Sequence, residues 1–334
     1  MNDFAASTPS GPTPIAPKTF GQILDRTFRL MRANFKTLVG IAAIPSILMM
    51  LTIAVLELII WFPMIRQFPQ QPTPETMLRN FTPSFIIPVI VVVSLLCLAI
   101  FSMYLAAASY ASVQADSGVK VSLREAYGLA WRRGGRHLWL LVLCYLYAFL
   151  PLLLMEGFVL LVVSIFAHGG AKGNAAVYLL IPLAVLFYIV ALVYGILMGL
   201  RLSLAYSICT AENLPAHAAI KRSFELTRGA KGRIFLVILV IYAALYAAML
   251  ALELVAFLLG AVGVVVMMVL HAHVTAPWSY IGLGAIGIIV FAFLVLFISL
   301  TYATLIAALA VLYHDQRLRK DGALTAPAQN TEIA

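Results

Sequence analysis

Six stretches of this chain are too long and too apolar to fold in water. They lie near 37–61, 84–113, 138–166, 176–209, 233–269 and 279–313, and each exceeds the roughly 20 residues that a helix needs to cross a bilayer. Hydrocarbon offers backbone N–H and C=O groups no partner, so each stretch must satisfy its own as a helix. Composition points the same way. Hydrophobic residues make up 63% of the 334 and charged residues 10%, with mean hydropathy +1.02, whereas an ordinary soluble domain carries about 25% charged residues. Collagen-like, disulfide-scaffold and disordered classes are excluded by the same numbers. The fifth stretch is longer than one upright helix requires, and Gly260 and Gly263 mark where it is expected to bend, tilt or leave the core.

The few charges are placed asymmetrically. Of 22 Lys and Arg, 19 fall before the first stretch, between the second and third, around the fourth–fifth connection or after the sixth. The alternate loops hold only Arg66, Arg79 and Lys172. This bias predicts that both termini are cytoplasmic. It also accounts for the net charge of +9 without nucleic acid, since no basic run carries stacking aromatics. Residues 1–18 are polar and proline-bearing and read as a disordered cytoplasmic tail; 314–334 read as a basic cytoplasmic tail. The membrane domain is expected over 19–313.

Rare polar and aromatic residues recur in register. Phe28, Tyr127 and Phe224 precede the odd-numbered stretches at separations of 99 and 97 residues. Glu57, Glu156 and Glu253 each follow their own anchor by 29 residues. Tyr110, Tyr206 and Tyr302, each between small residues in an even-numbered stretch, are spaced 96 and 96. The expected fold is therefore all-α: a polytopic membrane protein of six transmembrane helices, built as three repeats of an amphipathic helix plus a two-helix hairpin, over about 19–115, 116–211 and 212–313. Mitochondrial carriers share three repeats and six spans, but their proline-acid-x-x-base signature is absent from the odd stretches.

Each repeat opens with a basic amphipathic segment of the kind that lies in the headgroup plane. In the first, Phe20, Ile23, Leu24, Phe28, Met31 and Phe35 make an apolar stripe, and Asp25 and Arg29 form an i,i+4 pair. Thr19 with Gln22, and Ser122 with Glu125, match capping boxes. Asn213 or Leu214 is expected to begin the third helix, with Pro215 in its first turn. Arg26, Arg29, Arg32, Arg201, Arg222 and Arg228 are the candidate contacts to anionic lipid headgroups. Arg201 has no counterpart in the other repeats and is placed to snorkel from the inner leaflet.

A carboxylate inside a membrane costs about 3 kcal/mol on insertion scales, which makes Glu57, Glu156 and Glu253 a candidate ionisable site if they converge. Each comes about 19 residues after its stretch begins, near the outer boundary, so contact with water on that side is the alternative. The three tyrosines suit packing or an interfacial belt. His168, His271 and His273 lack the matched spacing of a metal site. No catalytic residues, metal or cofactor are expected, since HExxH, phosphate-loop, GxSxG and dinucleotide motifs are absent.

Several of these segments resemble the membrane domain attached to some bacterial glycerophosphoryl diester phosphodiesterases. The likeness lies in Gly21 to Leu30 (GQILDRTFRL), in Glu212-Asn213-Leu214 with Lys221 to Gly229 (KRSFELTRG), and in Tyr313, Asp315, Arg317, Arg319 and Lys320. Ala230-Lys231-Gly232 departs from the aromatic-rich stretch usual there. The resemblance implies a multi-span helical unit of the bacterial plasma membrane. In that family catalysis belongs to a fused barrel with histidine and carboxylate metal ligands, which these residues do not contain, so phosphodiesterase activity is not expected. The leading expectation is a non-catalytic membrane protein handling lipid or organising the envelope, with membrane lipid as partner. The alternatives are a proton- or cation-coupled solute transporter using the glutamates, and a subunit that recruits a cytoplasmic protein through the amphipathic helices.

Overall fold

In the structure, a computed structural model describing residues 17–67, 83–168, 175–269 and 276–325, no strand occurs among the described residues. A short helix followed by two long ones occurs three times in chain order. The first set is α1 (Phe20–Ala33), α2 (Phe35–Gln67) and α3 (Pro83–Asp116). The second is α4 (Leu123–Arg132), α5 (Gly134–His168) and a span divided into α6 (Ala175–Leu202) and α7 (Ala205–Ala211). The third is α8 (Ala216–Thr227), α9 (Lys231–Val269) and α10 (Ala276–Thr325). Among the described residues six helices are long and apolar enough to cross a membrane, and the protein is an all-helical, membrane-embedded one.

The short helices form as their sequences dictate. Thr19 closes a complete capping box with Gln22, and the Ser122 hydroxyl accepts from the Glu125 amide. Asp25 and Arg29 pair across one turn of α1. The buried face of α1 is Ile23, Thr27, Leu30 and Met31, flanked by Phe20 and Leu24. Phe28 and Phe35, expected on that stripe, are exposed instead, because buried Thr27 and Leu30 turn the face away from them. The third short helix starts later than expected: Pro215 is its N-cap, and Asn213 stands outside it with φ 55°.

Burial is concentrated at the end of the bundle that carries the short helices, hereafter the basic end. Buried side chains run from Leu38 to Ser46 in α2, Ser102 to Val113 in α3, Ile234 to Ile241 in α9 and Val295 to Gln316 in α10. Here α3 packs on α10, and both helices are rich in small buried residues at this end, Ala106, Ala107, Ala108 and Ala111 in α3 and Ala303, Ala307, Ala308 and Ala310 in α10. Small side chains let helix backbones approach closely where lipid gives no hydrophobic drive to associate. Hydroxyls that enter this region mostly bond their own helix, as Ser46 does to the Ala42 carbonyl (2.8 Å) and Thr304 to that of Leu300 (2.8 Å).

Around the bundle α2 packs on α3, α3 on α5, α5 on α6, α6 on α9, α9 on α10 and α10 back on α2, with α6 against α9 the sparsest seam. On the α5–α6 seam, a Cβ added at Gly195 would lie 3.3 Å from the Ala148 carbonyl oxygen. Gly195→Leu is therefore expected to destabilise the protein by about 1–3 kcal/mol, read as a lower melting temperature in detergent. Gly199→Leu, one turn away where an added Cβ meets nothing within 4 Å, is the tolerated control.

The long fifth stretch is helical over 39 residues, Gly260 and Gly263 included. Two features were not expected. The fourth span is interrupted at Ser203–Leu204. Residues 314–325, assigned to a tail, continue α10 to a total of 50 residues, with Asp315 fully buried, so the packed domain extends past 313. The bulk of the 1–18 tail, together with His271 and His273, lies outside the described residues.

Candidate functional site

Most of the acidic side chains at the basic end are held in three knots. Asp116, at the end of α3, accepts from Arg26 Nε (2.8 Å) and lies 2.7 Å from His314 Nδ1. Asp315 meets Arg233 (3.2 Å), Arg319 (3.0 Å) and the Lys18 amide (2.7 Å). Arg222 is held by Asp321 (2.7 Å), with Glu212 and Glu225 each at 3.7 Å. The Asp321 hydrogen bond holds the Arg222 guanidinium above its ordinary pKa, against an opposing effect of burial.

These knots sort the candidate headgroup contacts. Arg26 and Arg222 are engaged by carboxylates, and Arg29 pairs with Asp25. Arg32 and Arg228 are exposed. Arg201 is half-buried with its guanidinium 5.8 Å from the Phe224 ring centre, a cation–π contact. The repeated tyrosines take separate roles. Tyr110 reaches Glu125 (3.4 Å), Tyr206 donates to the His137 carbonyl (2.9 Å), and Tyr302 packs edge-on against Phe101 and Tyr104 (5.9 Å each). That aromatic cluster explains why Tyr302 sits deeper in its span than an interfacial belt requires.

Glu57, Glu156 and Glu253 are all exposed, and none makes a hydrogen bond or ion pair among the described residues. Their helices α2, α5 and α9 pack chiefly on even-numbered spans rather than on one another. Glu156 rims an open groove of about 520 Å³ between α5 and α6, whose other walls are Met155, Val159, Leu160, Ala184, Val185 and Tyr188.

A different place brings chemistry together. At Ser203–Leu204 the fourth span is interrupted without proline or glycine. The Ser203 hydroxyl bonds the Leu200 carbonyl (2.9 Å), and the Arg201 carbonyl accepts from Ser223 of α8 (2.6 Å). Broken backbone at membrane depth is tolerated where protein or a cavity lies beside it. Here a cavity of about 250 Å³ adjoins the break, walled by α3, α5, α6, α7 and α10. Its lining is mostly apolar, including Phe101, Leu105, Leu141, Ala148 and Phe149, with Ser109, Cys144, Ser203, Tyr206 and Ser207 as the polar points.

Directly toward the basic end lies a group that sequence reasoning did not single out. His137, Leu141, Cys144 and Ala148 recur at helical spacing on α5, and the last three line the cavity. His137 is fully buried, and its Nδ1 is 3.9 Å from Cys209 Sγ. Beside it Arg133 and Arg136 both donate to the side-chain oxygen of Asn213, Arg136 at 2.9 Å. The sequence signal was the run Arg132-Arg133-Gly134-Gly135-Arg136-His137, which the positive-inside bias had absorbed as topology. The arrangement is an open apolar cavity with hydroxyls at one end and, beyond them along α5, a group of cations. The chain matches no protein-family model, no curated protein and no solved structure.

Proposed function

We propose that this is a non-catalytic lipid-handling protein of a bacterial plasma membrane, with its basic end facing the cytoplasm. The observation that carries the reading is the cavity at the Ser203–Leu204 break. Its apolar walls suit acyl chain, and it lies within a bundle whose α6–α9 seam is sparsely packed. Burial falls away toward the opposite end, so neighbouring lipid reaches the helices there over much of their length. The exposed positions of the three glutamates favour this reading over ion-coupled transport, which calls for acids that converge on an enclosed path. The family resemblance agrees with a membrane-embedded role that needs no catalytic barrel.

Gly199 gives the test, because it lines the cavity and an added Cβ meets nothing within 4 Å. Native mass spectrometry of wild-type protein extracted from its membrane is expected to show retained lipid. Gly199→Phe, which fills the cavity from a helical position, is expected to lose it with melting temperature unchanged. Equal lipid retention by a stable Gly199→Phe protein defeats the reading.

A further inference from the structure

We propose that Arg133 and Arg136 bind the phosphate of an anionic lipid headgroup at the basic end of the cavity, an inference that rests on the lipid reading above. The two guanidiniums converge on one neutral oxygen, Asn213 Oδ1, while Arg136 also reaches the Asn213 carbonyl (3.3 Å). Among the described residues no carboxylate lies within ion-pair distance of either. The cations of the three neighbouring knots, by contrast, each meet an acid. Like charges drawn together around a neutral acceptor gain most from an anion.

The donors left over point to the same chemistry. Arg136 Nε and Nη2 are buried with no hydrogen-bond partner, as is Nε2 of the neighbouring His137, which is 0% exposed. Buried donors in native proteins are normally satisfied, so the two on Arg136 call for an acceptor. Asn213 holds its amide oxygen there from a left-handed backbone conformation, φ 55°, which asparagine tolerates better than most residues. That oxygen occupies the place of an anion's oxygen. A phosphate group, with several oxygens diverging from one centre, can meet donors from two guanidiniums that a single amide oxygen cannot satisfy.

Placement selects a lipid as the carrier. Tyr206 belongs both to the cavity and, through its bond to the His137 carbonyl, to the basic group. The two arginines are not in the cavity lining, but its apolar wall on α5 begins at Leu141, five residues beyond Arg136, so a lipid with its phosphate at the arginines has room for acyl chain on that side. Trp131, two residues before Arg133, is 79% exposed, as befits an indole at headgroup depth.

The test uses full-length protein in nanodiscs of phosphatidylcholine doped with phosphatidylglycerol, with bound lipid counted by native mass spectrometry. Wild type is expected to retain phosphatidylglycerol preferentially. Arg133→Gln with Arg136→Gln is expected to weaken that preference about tenfold or more, whereas Asn213→Ala, which removes only the competing oxygen, keeps it. Arg133→Gln alone, at an exposed position, gives the same direction should the double variant fail to fold. In parallel, inorganic phosphate is titrated against wild type in detergent by thermal shift. Stabilisation by phosphate without headgroup preference in the discs assigns the site to a soluble anion and overturns the lipid carrier. A preference unchanged in the folded arginine variants overturns the site altogether. If those variants keep lipid of either charge while Gly199→Phe loses it, the cavity reading survives and this proposal alone falls.

Discussion

Asp315→Ala is expected to be the most damaging single substitution at the basic end, lowering stability by about 3–5 kcal/mol. The carboxylate is completely buried and serves four partners: the Lys18 amide and Arg233 of α9 from distant parts of the chain, and Gln316 and Arg319 beside it on α10. Its removal leaves two partly buried guanidiniums, 22% and 36% exposed, facing each other without an anion. Repulsion then adds to the lost hydrogen bonds. Asp315→Asn keeps an acceptor for the Lys18 amide and should fall between alanine and wild type. Thermal unfolding in mild detergent measures the effect, and limited trypsin digestion should show the chain at Lys18 becoming cleavable. A melting temperature within about 2 °C of wild type contradicts the assignment, since 1 kcal/mol alone shifts a protein of this size by roughly 2–4 °C.

Asp116→Ala is expected to cost about 3 kcal/mol. Its side chain is only 4% exposed and ties three helices: Arg26 of α1 bonds both its carboxylate and its carbonyl oxygen (2.9 Å), and His314 of α10 takes the other carboxylate oxygen. Arg26 is 42% exposed and can return to water, so Arg26→Ala should cost less than Asp116→Ala. The double variant should be closer to Asp116→Ala than to the sum, because both singles break the same pair. Additive losses in that cycle rule out a coupled knot. Asp116 and Asp315 act on separate partners, although His314 and Asp315 are neighbours on α10, so their effects should combine nearly independently.

What the sequence made legible was whatever is governed by local chemistry. Apolar length located the six spans closely at every end but the last, where the helix runs on past 313 to Thr325. The cap at Thr19 and the Asp25–Arg29 pair follow from spacings of three and four residues, and both are present. The rest depends on contacts between residues far apart. Nothing local marks Ser203–Leu204 as a break; the Arg201 carbonyl there is taken by Ser223, 22 residues on. The stretch after Tyr313 is charged and reads as solvated, yet it stays helical because α3, α8, α9 and the Lys18 backbone supply partners for its side chains. Arg133 and Arg136 meet Asn213 across 80 and 77 positions, and no pattern in either segment announces the meeting. Conversely, Glu57, Glu156 and Glu253 hold their register in sequence, yet each is exposed and makes no hydrogen bond or ion pair among the described residues.

The Lys18–Asp315 bond joins residues 297 positions apart, and the Asp116–His314 contact spans 198. The ribosome therefore supplies the carboxylate of Asp315 only when the last of the six described spans is nearly made. The early hairpins enter the bilayer with their ionic partners still unborn, and their polar ends depend on interfacial water meanwhile. Closure of the basic end follows insertion rather than guiding it. A ribosome that stops short of Asp315 releases a set of inserted hairpins that cannot lock, which makes this turn of α10 a checkpoint on the spans before it.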